Sequence, residues 1–149
     1  MNKDRTVGFT CGAMDLFHAG HVSMMEYCKL HCDFLIVGLQ TDPSIDRPEK
    51  NAPVQTLIER YVQLKGCSYV DQIVPYQTEA ELLELLTVYS QIIDLRFVGD
   101  DWRGKNFTGH DLNIRNHYNP RFHNYSSSEL RERVCNALQN TKQASEKEK

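Results

Sequence analysis

An α/β fold, one parallel sheet with helices on both faces, is predicted by three observations. Four short runs rich in Val, Ile, Leu and Phe occur at residues 6–11, 33–39, 70–74 and 95–98. Each is separated from the next by a stretch long enough for a crossover helix, the arrangement that yields parallel strands. Within the second run, Phe34-Leu35-Ile36-Val37 lacks any polar alternation, which marks a strand covered on both faces and assigns it to the centre of the sheet.

The connecting elements follow in order. After the first strand, Met25, Cys28 and Cys32 recur at helical spacing in a helix that begins near Ala19. Leu57, Tyr61 and Leu64 mark a second helix, and Leu82, Leu85, Leu86 and Tyr89 a third. A fourth begins at Ser126, where Ser-x-x-Glu with Glu129 forms a capping box, and it is expected to bury Leu130, Val134, Ala137 and Leu138. Two irregular segments, 40–53 and 99–125, are longer than simple connections need, and long loops in a parallel α/β fold carry function. Residues 1–140 are therefore read as a single Rossmann-like domain. Residues 141–149 mix both charge signs and read as a polar disordered tail.

The 149 residues carry 17 Lys+Arg against 20 Asp+Glu, a formal charge of −3, with 40% hydrophobic residues. That balance suits one globular core and excludes an intrinsically disordered chain. No apolar run approaches the roughly 18 residues of a membrane span, so membrane insertion is not expected. Near-neutral charge argues against bulk nucleic-acid binding, whereas a small anion needs only a local positive cluster. The opening Met1-Asn2-Lys3-Asp4-Arg5 does not read as a signal peptide, and the cytoplasm is the expected location. Five scattered cysteines, Cys11, Cys28, Cys32, Cys67 and Cys135, suit reduced core thiols better than a disulfide framework.

The turn leaving the first strand reads Gly12-Ala13-Met14-Asp15-Leu16-Phe17-His18-Ala19-Gly20-His21. A strand-to-helix turn of this kind aims unpaired backbone N–H groups, and the positive end of the helix dipole, at whatever lies above the carboxyl edge of the sheet. Anions belong there. His18 and His21, three apart across the helix start, can both face such an anion, and Gly20 between them removes side-chain bulk. Zinc is the competing reading of the two histidines, but it requires further ligands. Cys28-x-x-His31-Cys32 offers them by type, about two turns along the helix and on its apolar stripe, so no protein-held metal is expected.

This string resembles the Gly-Thr-Phe-Asp-Leu-Leu-His-x-Gly-His signature of the small cytidylyltransferases, the glycerol-3-phosphate cytidylyltransferases above all. They belong to a larger nucleotidyltransferase superfamily that shares His-x-Gly-His. After the fourth apolar run, Gly99-Asp100-Asp101-Trp102 is similar to the Gly-Asp-Asp-Trp segment of the same branch. Strand-end groups and a carboxylate there can hydrogen-bond the exocyclic amine of cytosine, beside the flat face of Trp102. Arg121-Phe122-His123-Asn124-Tyr125-Ser126-Ser127-Ser128 resembles the family's Arg-Thr-x-Gly-x-Ser-Thr-Thr and brings a guanidinium and hydroxyls to phosphate at a second helix start. Arg60 matches a family Arg, and Asp71 the Asp of its Tyr-Val-Asp. Arg47 and Lys50 occupy roughly the place of its substrate-facing lysines. Ala13 for Thr, Ser68 for a second Arg, and Phe122 and Asn124 for Thr and Gly are departures, the last pair bearing on the acceptor pocket.

The resemblance implies the nucleotidyltransferase fold and transfer of CMP from CTP to a small phosphomonoester, such as glycerol 3-phosphate, with release of pyrophosphate. The implied catalytic groups are His18, His21 and Arg121. Gly12, Ala13, Asp15, Gly20, Gly99, Asp100, Asp101, Trp102, Ser126 and Ser127 are implied around the nucleotide. Arg47, Lys50, Arg60 and Asp71 are implied at the substrate phosphate. Mg²⁺ carried with the triphosphate, with Asp15 as the nearest carboxylate, and a homodimer follow from the same likeness. Two other readings stand beside it: an ATP-using adenylyltransferase of the same superfamily, and a nucleotide-binding module without catalysis, which Ala13 and Ser68 favour.

Overall fold

The computed structural model describes residues 4–147. Among them are strands β1 (Val7–Gly12), β2 (Phe34–Gln40), β3 (Gln72–Tyr76), β4 (Leu95–Gly99) and β5 (Arg115–Asn119), and helices α1 (Ala19–Lys29), α2 (Leu57–Lys65), α3 (Glu79–Tyr89) and α4 (Ser127–Lys147). The strands form one sheet in the order β3-β2-β1-β4-β5, with every neighbouring pair parallel. The chain moves outward from β1 through β2 to β3, then returns to β4 and β5 on the other side. That reversal opens a crevice at the carboxyl edge between β1 and β4, where ligands bind in open α/β sheets.

The α/β class and the all-parallel sheet agree with expectation. The centre of the sheet does not, because β1 rather than β2 is the middle strand. β2 is nonetheless covered on both faces: Leu35, Val37 and Leu39 join the core beneath α1 and α2, while Ile36 joins the core beneath α3. β1 reads as less apolar because one of its tightly packed positions is Gly8. A Cβ there would lie 2.5 Å from the Phe97 ring and 2.7 Å from Cys32 Sγ, closer than packed atoms tolerate. β5 has no counterpart among the apolar runs. It is an edge strand with a single partner, and Arg-Asn-His-Tyr-Asn suits an edge that faces water.

Helix α4 departs from expectation twice. It continues through Lys147, so 141–147 is helical where a disordered tail was expected, and 148–149 lie outside the described residues. Residues 139–147 hold neither Gly nor Pro, and a nucleated helix extends at little cost. Val134 and Leu138 are 61% and 57% exposed rather than buried; the apolar stripe was legible, but no described residue covers it. Cys135 on the same helix is exposed, unlike the buried thiols Cys28 and Cys32, and all five cysteines are free. Among the described residues no helix is long and apolar enough to cross a membrane.

Candidate active site

The turn between β1 and α1 sits at the reversal of strand order. Met14 and Leu16 both have φ of 51°, a left-handed conformation that costs a non-glycine residue roughly 1–3 kcal/mol. Asp15, 6% exposed, braces the turn from between them. Its Oδ2 and Oδ1 accept from the N–H groups of Val54 and Gln55, each at 2.9 Å, and Leu16 N–H donates to Gln55 Oε1 at 2.8 Å. Arg131 from α4 pairs with the same carboxylate at 2.9 Å. Burial pushes the Asp15 carboxyl up, but the two amides and Arg131 outweigh it and hold it below the ordinary carboxylate range.

His18 caps α1. Its Nδ1 accepts from Gly20 N–H at 3.0 Å, and His21 Nδ1 accepts from His18 N–H at 3.2 Å, a capping box built from two imidazoles. A ring nitrogen that accepts from an amide carries no proton, so each neutral ring keeps its hydrogen on Nε2. The ring centroids are 4.0 Å apart. His18 Nε2 lies 3.3 Å from Ser127 Oγ, and that hydroxyl donates to the Asp15 carbonyl at 3.1 Å, which leaves its lone pair for the imidazole. Gly20 has a steric reason to be glycine, since a Cβ there would meet Cε1 of both His18 and His123 at 2.8 Å.

Burial lowers the pKa of His18, with His123 and Arg121 adding to the effect. Burial and His18 bring His21 down to about 4, against an opposing pull from Asp15. Both rings are therefore neutral donors near pH 7. The unfolded chain binds protons at these histidines from their ordinary 6.5 downward, before the native His21 does. Folding stability should consequently fall as pH drops from about 6.5 toward about 4. Urea melts across that range will read the slope, and His21→Gln should flatten it; an unchanged slope would contradict the assignment.

The starts of α1 and α4 open onto one cavity of about 990 Å³. His18, Gly20, His21, Arg121, Ser126 and Ser127 line one side of it, and Gly99, Asp100 and Asp101 at the end of β4 line the other. Ser126 Oγ accepts from Glu129 N–H at 3.1 Å, the expected cap. Arg121 is exposed and donates to the Tyr125 carbonyl at 3.0 Å, while Asp100 pairs with Arg103 at 2.8 Å. A second cavity of about 750 Å³ shares Gly99 with the first and takes in Gly12, Arg47 and Trp102. A third of about 210 Å³ lies against Ala13, Asp15, His21, Ser127 and Arg131.

Three residues expected at the substrate phosphate lie elsewhere. Arg60 is 2% exposed, and its guanidinium donates to the carbonyls of Gln55, Ala13, Gln40 and Thr41. It satisfies strand-end backbone that would otherwise be buried without partners. Asp71 stands at the opposite, amino edge of the sheet, accepting from Leu35 N–H at 2.7 Å and pairing with Lys29. Lys50 is exposed and lines none of the three cavities. Arg47 does reach a cavity wall, where it pairs with Glu79 at 3.3 Å. Among the described residues no three His, Cys, Asp or Glu side chains are placed to share a metal ion. Asp15, with both oxygens committed to protein donors, is a brace and does not fit as a cation ligand.

Arg131 is a residue of the site that the sequence reading does not single out. It lies four positions beyond Ser127, on the same face of α4, and that spacing was the available signal. Gln55 and His123 carried none, because only the folding of their loops brings them to the turn.

The sequence model of a family described as Cytidylyltransferase-like matches residues 9–133, a span that contains the turn, both histidines and the start of α4. The chain belongs to the cytidylyltransferase-like family. This cytidylyltransferase-like domain is 37% identical over 109 residues to the Bifunctional protein HldE of Granulibacter bethesdensis, a match covering 72% of the chain and 22% of that protein. It is 39% identical over 84 residues to the probable ethanolamine-phosphate cytidylyltransferase of Encephalitozoon cuniculi, covering 55% of the chain and 26% of that protein. The cytidylyltransferase-like chain thus spans about a quarter or less of these relatives' length. In fold it is similar to the lipopolysaccharide core biosynthesis protein from Thermoplasma volcanium GSS1, with a TM-score of 0.62 at 18% identity over 82% of this chain and 99% of that one. A putative nicotinate-nucleotide adenylyltransferase from Vibrio parahaemolyticus gives 0.57 at 16% identity, over 89% and 88%.

Proposed function

We propose that this cytidylyltransferase-like domain transfers CMP from CTP to a small phosphomonoester of the glycerol 3-phosphate kind. An oxygen of the phosphomonoester attacks the α-phosphorus, a new P–O bond forms, and the bond to the β-phosphate breaks to release pyrophosphate. The observation that carries this reading is the meeting of two helix starts at one cavity, with His18 Nε2 3.3 Å from Ser127 Oγ. Helix N-termini and neutral Nε2–H donors suit an anion.

The chemistry asks for little covalent help, since a phosphate dianion is already a nucleophile. What the protein supplies is preorganisation: donors held where charge gathers on five-coordinate phosphorus. In this reading His18 and His21 donate to that centre, Ser126, Ser127 and the α4 amides hold the outer phosphates, and Arg121 offsets their charge. The Gly99 to Asp101 side of the cavity takes the nucleoside. The acceptor lies in the adjoining 750 Å³ cavity, beside Arg47; Trp102, expected beside the base, lines this cavity and not the one that holds His18 and His21. The divalent cation enters with the nucleotide as part of the substrate. A cytoplasmic homodimer is the form proposed for the working protein.

A pyrophosphate-release screen crossing four nucleoside triphosphates with small phosphomonoesters tests the assignment. CTP with one such acceptor should stand well above all other pairs. ATP turnover in its place would favour the adenylyltransferase reading, and tight CTP binding without release under any acceptor would favour a binding module.

A further inference from the structure

Asn119, the last residue of β5, stands at the seam between the two larger cavities and lines both, together with Met24 and Gly99. It is in register with Gly99 across the β4–β5 pair, so it sits at the nucleoside end of the crevice. It is only 8% exposed. Its Nδ2 donates to Cys28 Sγ at 3.5 Å, and its Oδ1 has no hydrogen-bond partner among the described residues. Burial pushes the Cys28 thiol up to about 12, so the sulfur remains a neutral and weak partner.

A buried amide oxygen without a donor is costly, and an apolar side chain of similar size would fill the same space without that cost. The terminal torsion of an asparagine is soft, and the contact opposing its movement is one long N–H···S. A small rotation about that torsion moves Oδ1 and Nδ2 together, turning Oδ1 toward the seam at the cost of stretching one weak contact. One N–H of Nδ2 is engaged by the sulfur and Oδ1 is the atom without a partner among the described residues, so it calls for a ligand that brings an N–H.

We propose that Asn119 is a specificity-determining residue of the nucleotide site, its Oδ1 accepting from the exocyclic amine of the base. This rests on the nucleotide reading given above. A base with an amine at that position satisfies the orphaned oxygen, whereas uracil presents a second oxygen to it and is disfavoured. In this role the residue acts on base choice rather than on the transferred phosphorus.

The test compares CTP with the triphosphate of pyrimidin-2-one riboside, which lacks the 4-amine, and with UTP. Wild-type protein should prefer CTP over both. Asn119→Leu should lower kcat/KM for CTP about tenfold to a hundredfold, mostly through KM, and leave the amine-free analogue unchanged. Equal losses for CTP and the analogue, or an undiminished preference for CTP, would overturn the proposal. Asn119→Ser, which adds no bulk on β5, should lose the same preference and serves if the leucine variant does not fold; Asn119→Asp, which keeps an acceptor, should retain it. If wild-type protein releases no pyrophosphate with any pair, the reading of the reaction fails on its own. The same comparison of CTP with the analogue by calorimetric binding then still decides Asn119.

Discussion

His18→Asn and His21→Gln should each lower turnover about a hundredfold or more while the protein stays folded, the size of loss seen when one oxyanion donor is removed. The choice of replacement matters. His18 caps α1 through Nδ1 and His21 reaches back to the His18 amide through its own Nδ1, so alanine at either position removes a cap as well as a donor. Loss of a cap alone costs typically about 1 kcal/mol. Asparagine at an N-cap and glutamine three residues later supply the same backbone contacts, but neither carries a donor where Nε2–H stands. Turnover measured beside thermal unfolding separates the two roles: a large fall in kcat with little change in melting is the expected result. Near-normal turnover in both variants would show that the rings serve only to cap the helix.

Arg60→Met should act in the opposite way, on stability rather than on substrate affinity. The guanidinium is buried and donates to four carbonyls at the ends of β1 and β2 and in the loop before α2. Methionine fills much of the volume and leaves those oxygens short of donors. Each unsatisfied buried acceptor costs roughly 1–3 kcal/mol, and the second lone pair and local relaxation soften the sum, so a loss of about 3 kcal/mol is expected in denaturant melts. KM for both substrates should change little in the folded fraction. A stable variant with a raised KM would restore Arg60 to the substrate phosphate.

Much of this molecule could be read from short stretches of chain. The alternation of apolar runs and helix-length segments was enough for the parallel sheet, and the periodic Leu57, Tyr61, Leu64 and Leu82, Leu85, Leu86 were enough for α2 and α3. The geometry of the turn was legible where its contacts are local. His18, Gly20 and His21 fall within four residues, and Ser126 with Glu129 spells its own cap. Reading failed where a residue's role depends on what the fold lays against it. The family resemblance implies Arg60 and Asp71 together at a phosphate. One is spent on backbone carbonyls at the carboxyl edge, and the other lies at the amino edge.

What the sequence by itself determined is the class of fold and the capped turn that carries His18 and His21, because strand period, helix period and capping are interactions between near neighbours along the chain. Only the tertiary structure decided that β1 holds the centre of the sheet, that Asp15 is a brace tied to Val54, Gln55 and Arg131, and that Asn119 meets two cavities at once. Those outcomes depend on contacts between residues dozens of positions apart. Which partner a carboxylate or a guanidinium finds is settled by whichever buried donor or acceptor would otherwise go unpaired.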